Sequence, residues 1–151
     1  MTADRPLRVL LLHGPNLNLL GTREPEVYGS LSLDEIEELV RARAAELGVE
    51  LRSLQSNHEG ELVDAVQAAA KDTDGIVINP GGYSHTSVAI RDAIASAGVP
   101  TVVAHLSNPP AREEFRHLDV VASACIGSVA GFGWRSYALA LDALVGHLRG
   151  V

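Results

Sequence analysis

Leu7-Arg8-Val9-Leu10-Leu11-Leu12, running into His13-Gly14-Pro15, is the stretch on which the fold turns. A short, mostly apolar run stopped by Gly-Pro reads as a strand buried on both faces. Ser32 follows with Glu35 three residues on, a capping-box pattern, and Leu33, Ile36, Val40, Ala44 and Leu47 then recur at helical spacing until Gly48. Val49 to Leu54 reads as a second strand and Glu61 to Lys71 as a helix. Gly75 to Ile78 is a third strand, broken by Asn79-Pro80-Gly81-Gly82, and Thr86 to Ala97 the next helix. Pro100 to Ala104 is a fourth strand, Val120 to Ile126 a weaker fifth, and Trp134 to Leu148 the last helix. Five short hydrophobic strands separated by helices imply a parallel sheet covered on both faces. Right-handed crossovers then predict an α/β, flavodoxin-like three-layer sandwich with strand order 2-1-3-4-5.

The 151 residues fit a single domain spanning 1–151, with 1–6 expected as a flexible start. Hydrophobic content of 46% and charged content of 21% are ordinary globular values, and no apolar run approaches a bilayer span. The polar start lacks a secretory core, and a single cysteine, Cys125, cannot form an internal disulfide; both favour the cytoplasm. A net charge of −7 without a basic stripe argues against a nucleic-acid partner, though not against a small anion. Cys125, in an apolar run, and Trp134 and Tyr137, at the start of the last helix, read as packing residues.

In a doubly wound sheet, ligands bind beyond the carboxyl ends of the strands. His13–Ser30, Gln55–Gly60, Asn79–Ser87 and His105–Arg116 should therefore face a ligand. Gly14-Pro15-Asn16-Leu17-Asn18-Leu19-Leu20-Gly21 carries neither G-x-G-x-x-G nor a P-loop ending, so it reads as a structural turn or a site of another kind. Thr22 to Tyr28, bracketed by Gly21 and Gly29, is either a solvated loop or a hinged lid. Arg23 within it would favour the phenolate of Tyr28 and make it usable as a base. His85 adjoins a helix N-terminus suited to polar or anionic groups, and Asp92 is expected on the same helix face, or else as an exposed pair with Arg91. His105 ends a strand, and Arg112 and Arg116, four apart, could clamp a carboxylate or form surface ion pairs. The six histidines show no metal-ligand spacing, and no G-x-S-x-G elbow is present.

Taken in order, Gly14 to Gly21, Arg23-Glu24-Pro25 with Tyr28-Gly29, Gln55-Ser56-Asn57 with Glu59-Gly60, His85-Thr86-Ser87, and His105-Leu106-Ser107-Asn108 with Arg112-Glu113 and Phe115-Arg116 resemble type II 3-dehydroquinate dehydratase. The resemblance runs from about Leu7 to Leu148. It implies dehydration of 3-dehydroquinate to 3-dehydroshikimate, in the shikimate pathway or in quinate breakdown, with no metal and no cofactor. Tyr28 matches the family's base, Arg23 the residue that favours its charged form, His105 the acid, and Asn16 an asparagine that positions the reacting centre and a water. Asn79, His85, Asp92, the backbone of Leu106 and Ser107, and Arg116 match substrate contacts, and Arg112 a second arginine on the closing loops. The resemblance further implies a homododecamer built from trimers, the Asp92 equivalent reaching a neighbouring site.

Three places depart from this pattern: Val103, Leu118-Asp119-Val120 where a polar Ser-Tyr type segment is usual, and Trp134-Arg135-Ser136 in place of a smaller stretch. The family usually carries a glutamate two residues before the catalytic histidine, and here that residue is Val103. Without a carboxylate, His105 is expected to be a weaker acid near neutral pH unless another group substitutes. Asp119 is a candidate, and nothing in the sequence shows that it reaches. Two other readings follow: a paralogue dehydrating an amino analogue of dehydroquinate, and a weakened binding protein.

Overall fold

In the computed structural model, which describes residues 5–151, the opening stretch is strand β1, Leu7–His13. From Val9 to Leu12 its side chains alternate between two buried layers, while Arg8 near the start is exposed and pairs with Glu50. The chain continues through a short helix α1 (Pro25–Tyr28), then α2 (Leu33–Leu47), β2 (Val49–Gln55), α3 (Glu59–Asp72), β3 (Gly75–Asn79), α4 (Val88–Ala97), β4 (Thr101–His105), β5 (Gly127–Ala130) and α5 (Arg135–Arg149). All strand pairs are parallel and the sheet order is β2-β1-β3-β4-β5, as the sequence predicts.

Val9, Leu11, Val77, Val102 and Ala104 face one layer, filled by Ile36 and Val40 of α2 and Leu141 and Leu144 of α5. Leu10, Leu12, Ile76, Ile78 and Val103 face the other, filled by Leu62 and Val66 of α3 and Ile90 and Ile94 of α4. The helix boundaries follow from local chemistry. The Ser32 hydroxyl accepts from the Glu35 N–H at 3.2 Å, and Gly48 closes α2 in the left-handed region.

Three expectations need correction. The fifth strand is Gly127–Ala130, not Val120 to Ile126. The apolar run Val120-Val121-Ala122 instead packs against the α3–α4 layer, and 122–124 form a 3₁₀ turn; Asp119 Oδ1 accepts from the Ala122 N–H at 2.9 Å. The helix expected from Thr86 begins at Val88, because the Ser87 hydroxyl caps it at the Ile90 N–H. His85 therefore belongs to a preceding 3₁₀ turn, Gly81–His85, and does not share a helix face with Asp92. Of the start at 1–6, 1–4 lie outside the described residues, and Arg5 donates to both carboxylate oxygens of Asp74 at 2.8 and 2.9 Å, which leaves the expectation of flexibility open.

Candidate active site

β1, β3 and β4 end near one another at His13, Asn79 and His105, and the loops beyond them enclose a cavity of about 180 Å³. Close loop approach sets the local sequence. The Gly14 N–H donates to the Asn79 carbonyl at 2.7 Å, and a Cβ at Gly14 would collide with the Pro80 carbonyl. Asn16 sits at φ 68°, a region asparagine tolerates better than most residues, and its N–H donates to Asn57 Oδ1 at 3.0 Å. Gln55 Nε2 donates to the Gly14 carbonyl at 3.1 Å. Gln55 and Asn57 thus brace the first loop from behind, and no residue of 55–60 lines the cavity, contrary to the expectation for that segment.

The stretch from Gly21 to Gly29 forms one wall. Arg23 and Tyr28 both line the cavity, and Tyr28 ends α1 just before Gly29, whose φ of 88° only glycine adopts without strain. Two guanidiniums cover the Tyr28 ring: Arg23 Cζ lies 4.5 Å and Arg112 Cζ 5.2 Å from its centroid. They come from different loops, so the tyrosine is gripped from its own segment and from the segment after β4. Arg112 is steadied in turn by donating to the Ser107 hydroxyl at 3.1 Å.

Opposite this wall, His105 ends β4 and is almost fully buried. Its Nε2 lies 2.9 Å from Asp119 Oδ2, which leaves Nδ1 for the cavity. Burial pushes the Asp119 carboxyl up. Hydrogen bonds from His105 and the Ala122 N–H, with the charge of His105, outweigh burial and hold it below the usual carboxylate range. The candidate carboxylate does reach. Val103, where the family pattern has glutamate, is wholly buried in the α3–α4 layer.

Asn16, Asn79, His85, Leu106, Ser107 and Arg116 also line the cavity. His85 Nδ1 is 2.7 Å from the Leu118 carbonyl, which puts the proton there and turns Nε2 free. Arg116 Nε donates to Glu113 at 2.7 Å. Asp92 is not brought to this cavity; it is exposed and pairs with Arg91 at 2.9 Å. Among the described residues no carboxylate lines the cavity while three arginines do, an inversion of the chain's net charge of −7. The Cys125 thiol is pushed up to about 12 by burial, in keeping with a packing role.

From the sequence, Tyr137 is expected to serve in packing. It is fully buried, but its hydroxyl also accepts from Asn79 Nδ2 at 3.0 Å, directly behind the cavity. The available signal was a tyrosine in register with the buried positions of a helix, where its O–H must find a partner.

The class II dehydroquinase family model matches residues 7–145. The chain belongs to that family. A 3-dehydroquinate dehydratase from Nostoc sp. is 56% identical across 97% of this chain and 99% of its own length. Another from Roseiflexus castenholzii is 53% identical across 93% of this chain and 89% of its own. The crystal structure of type II dehydroquinase from Butyrivibrio crossotus superposes with a TM-score of 0.90 at 42% identity, covering 92% of this chain and 97% of that one. Membership in the class II dehydroquinase family accords with the expected fold and with the order of the motifs around the cavity.

Proposed function

We propose that the chain dehydrates 3-dehydroquinate to 3-dehydroshikimate by proton removal α to the ketone, through an enolate, with acid-assisted loss of water. One observation carries the assignment of roles: Tyr28 under two guanidiniums and His105 on Asp119 line the same cavity. The phenol oxygen of Tyr28 takes the proton, and the flanking cations of Arg23 and Arg112 stabilise the negative charge that this requires. His105 gives a proton to the departing hydroxyl, which is too poor a leaving group to go as hydroxide. Asp119 accepts from the imidazole and holds it in place, the part a glutamate at position 103 would otherwise take. Asn16, on its strained loop, steadies the enolate and a water beside it.

Asn79, His85, the backbone of Leu106 and Ser107, and Arg116 hold the substrate, whose carboxylate suits a cavity lined by arginine. No finding favours the amino-analogue substrate or the weakened binder. Asp92, exposed on its own chain, fits a role in a neighbouring site of a homododecamer built from trimers. Exposed Val88, Phe115, Leu118 and Phe132 support burial of apolar surface between subunits. A single domain over 1–151 is supported by one sheet whose covering elements run from Leu7 to Arg149. A lone cysteine, which can form no internal disulfide, favours a cytoplasmic setting.

The direct test is to follow enone absorbance with purified protein and 3-dehydroquinate. Steady growth of the enone without added metal is expected. No turnover under conditions where the ligand binds would remove the reading in favour of a binder.

A further inference from the structure

Behind the cavity wall a chain of polar side chains crosses the buried layer between β1, β3, α2 and α5. Asn79 Nδ2 is 3.0 Å from the Tyr137 hydroxyl, that hydroxyl is 3.0 Å from His13 Nδ1, and His13 Nε2 is 3.1 Å from Glu37 Oε1. His13 and Tyr137 are almost wholly buried, with ring centroids 5.3 Å apart edge to face. The Glu37 side chain is 18% exposed and lies 3.5 Å from Arg41. Of these groups only Asn79 touches the cavity.

Both ends of the chain force the same direction on it. At the inner end, the Gly81 N–H donates to Asn79 Oδ1 at 3.1 Å, so the amide must turn Nδ2 to Tyr137. At the outer end, the His13 hydrogen bond, ahead of the opposing cost of burial, holds Glu37 below the usual carboxylate range, so it accepts. Burial raises the Tyr137 phenol far above its ordinary range, so it keeps its proton. The only arrangement satisfying every atom is Asn79 N–H to Tyr137 oxygen, Tyr137 O–H to His13 Nδ1, and His13 Nε2–H to Glu37. A reversed amide would set two donors against each other at Gly81.

We propose that Tyr137, backed by His13 and Glu37, is a positioning residue that locks the Asn79 amide so that its remaining N–H and lone pair meet a hydroxyl of the substrate. The inference rests on Asn79 being a substrate contact, as proposed above. Tyr137→Phe keeps the ring in the core and deletes only the hydroxyl. It is expected to raise KM for 3-dehydroquinate by about 10-fold with kcat within about twofold, because the lost contact holds ground and transition states alike. Asn79→Ala should raise KM at least as much, and the double variant should be no worse than Asn79→Ala, because Tyr137 acts through Asn79. Multiplying effects, or an unchanged KM in folded Tyr137→Phe, would overturn the inference while leaving the site intact. An unchanged KM in Asn79→Ala would overturn the reading of the site and the inference with it. Should Tyr137→Phe not fold, the ¹⁵N spectrum of the wild-type His13 ring decides: a proton on Nε2 and a bare Nδ1 support the lock, and a proton on Nδ1 overturns it.

Discussion

The two walls of the cavity are built in different ways. Tyr28 lies on a segment bracketed by Gly21 and Gly29, half-exposed, packed against the α2–α5 core layer and covered by two cations. His105 stands at the end of a fully buried strand, with one nitrogen committed to Asp119. The proposed base is placed by a loop bracketed by two glycines and the proposed acid by the end of a buried strand. Such a division suits an elimination in which the site must admit substrate and then shed water. What each wall can lose differs: the proposed base depends on its own oxygen, the proposed acid on a neighbour supplied by another loop.

Removing the base oxygen should have the largest effect. Tyr28→Phe is expected to lower kcat by about 10²–10⁴-fold, the range for a general base. Substrate binding, measured by calorimetry, should be nearly retained, since the ring still packs beneath Arg23 and Arg112; near-native turnover would mean the base lies elsewhere.

On the acid wall, restoring the family's carboxylate should harm this chain. Val103 is wholly buried among Leu62, Val66 and Ile78, so Val103→Glu places a carboxyl in an apolar layer whose histidine already has a partner. Thermal or urea unfolding should record a loss of about 3 kcal/mol or more. A variant as stable as the wild type, with a shifted rate profile, would show that Asp119 is not the effective partner.

A smaller effect concerns stability in acid. The folded Asp119 carboxyl lies below its usual value, so its contribution is present above the unfolded value and fades as pH falls through the folded one. The Tm gap between wild type and Asp119→Asn should narrow as pH drops below about 4. A gap that stays constant would assign the loss to packing.

The fold was legible because β1, β3 and β4 are built on the apolar runs Val9–Leu12, Ile76–Ile78 and Val102–Ala104, and parallel order follows from the alternation with helices. The fifth strand was not, because Gly127-Ser128-Val129-Ala130 is a half-exposed edge with little apolar signal, whereas Val120-Val121-Ala122 is apolar for a different reason, packing against α3 and α4. On the base wall, Arg23 and Tyr28 lie five residues apart and could be read together. Asp119 is fourteen residues beyond His105, and its reach depends on a 3₁₀ turn that the sequence pattern mistook for a strand. Tyr137 is 58 residues from Asn79, and only the packing of α5 against β3 brings them together.

The central claim is that Asp119 serves His105 in place of a carboxylate at position 103, completing an acid opposite Tyr28. The kcat–pH profile of Asp119→Asn against wild type tests it most directly. Near neutrality kcat should fall about 10-fold, because the imidazole has lost the carboxylate that holds it toward the departing hydroxyl. Superimposable profiles from a folded variant would contradict the account.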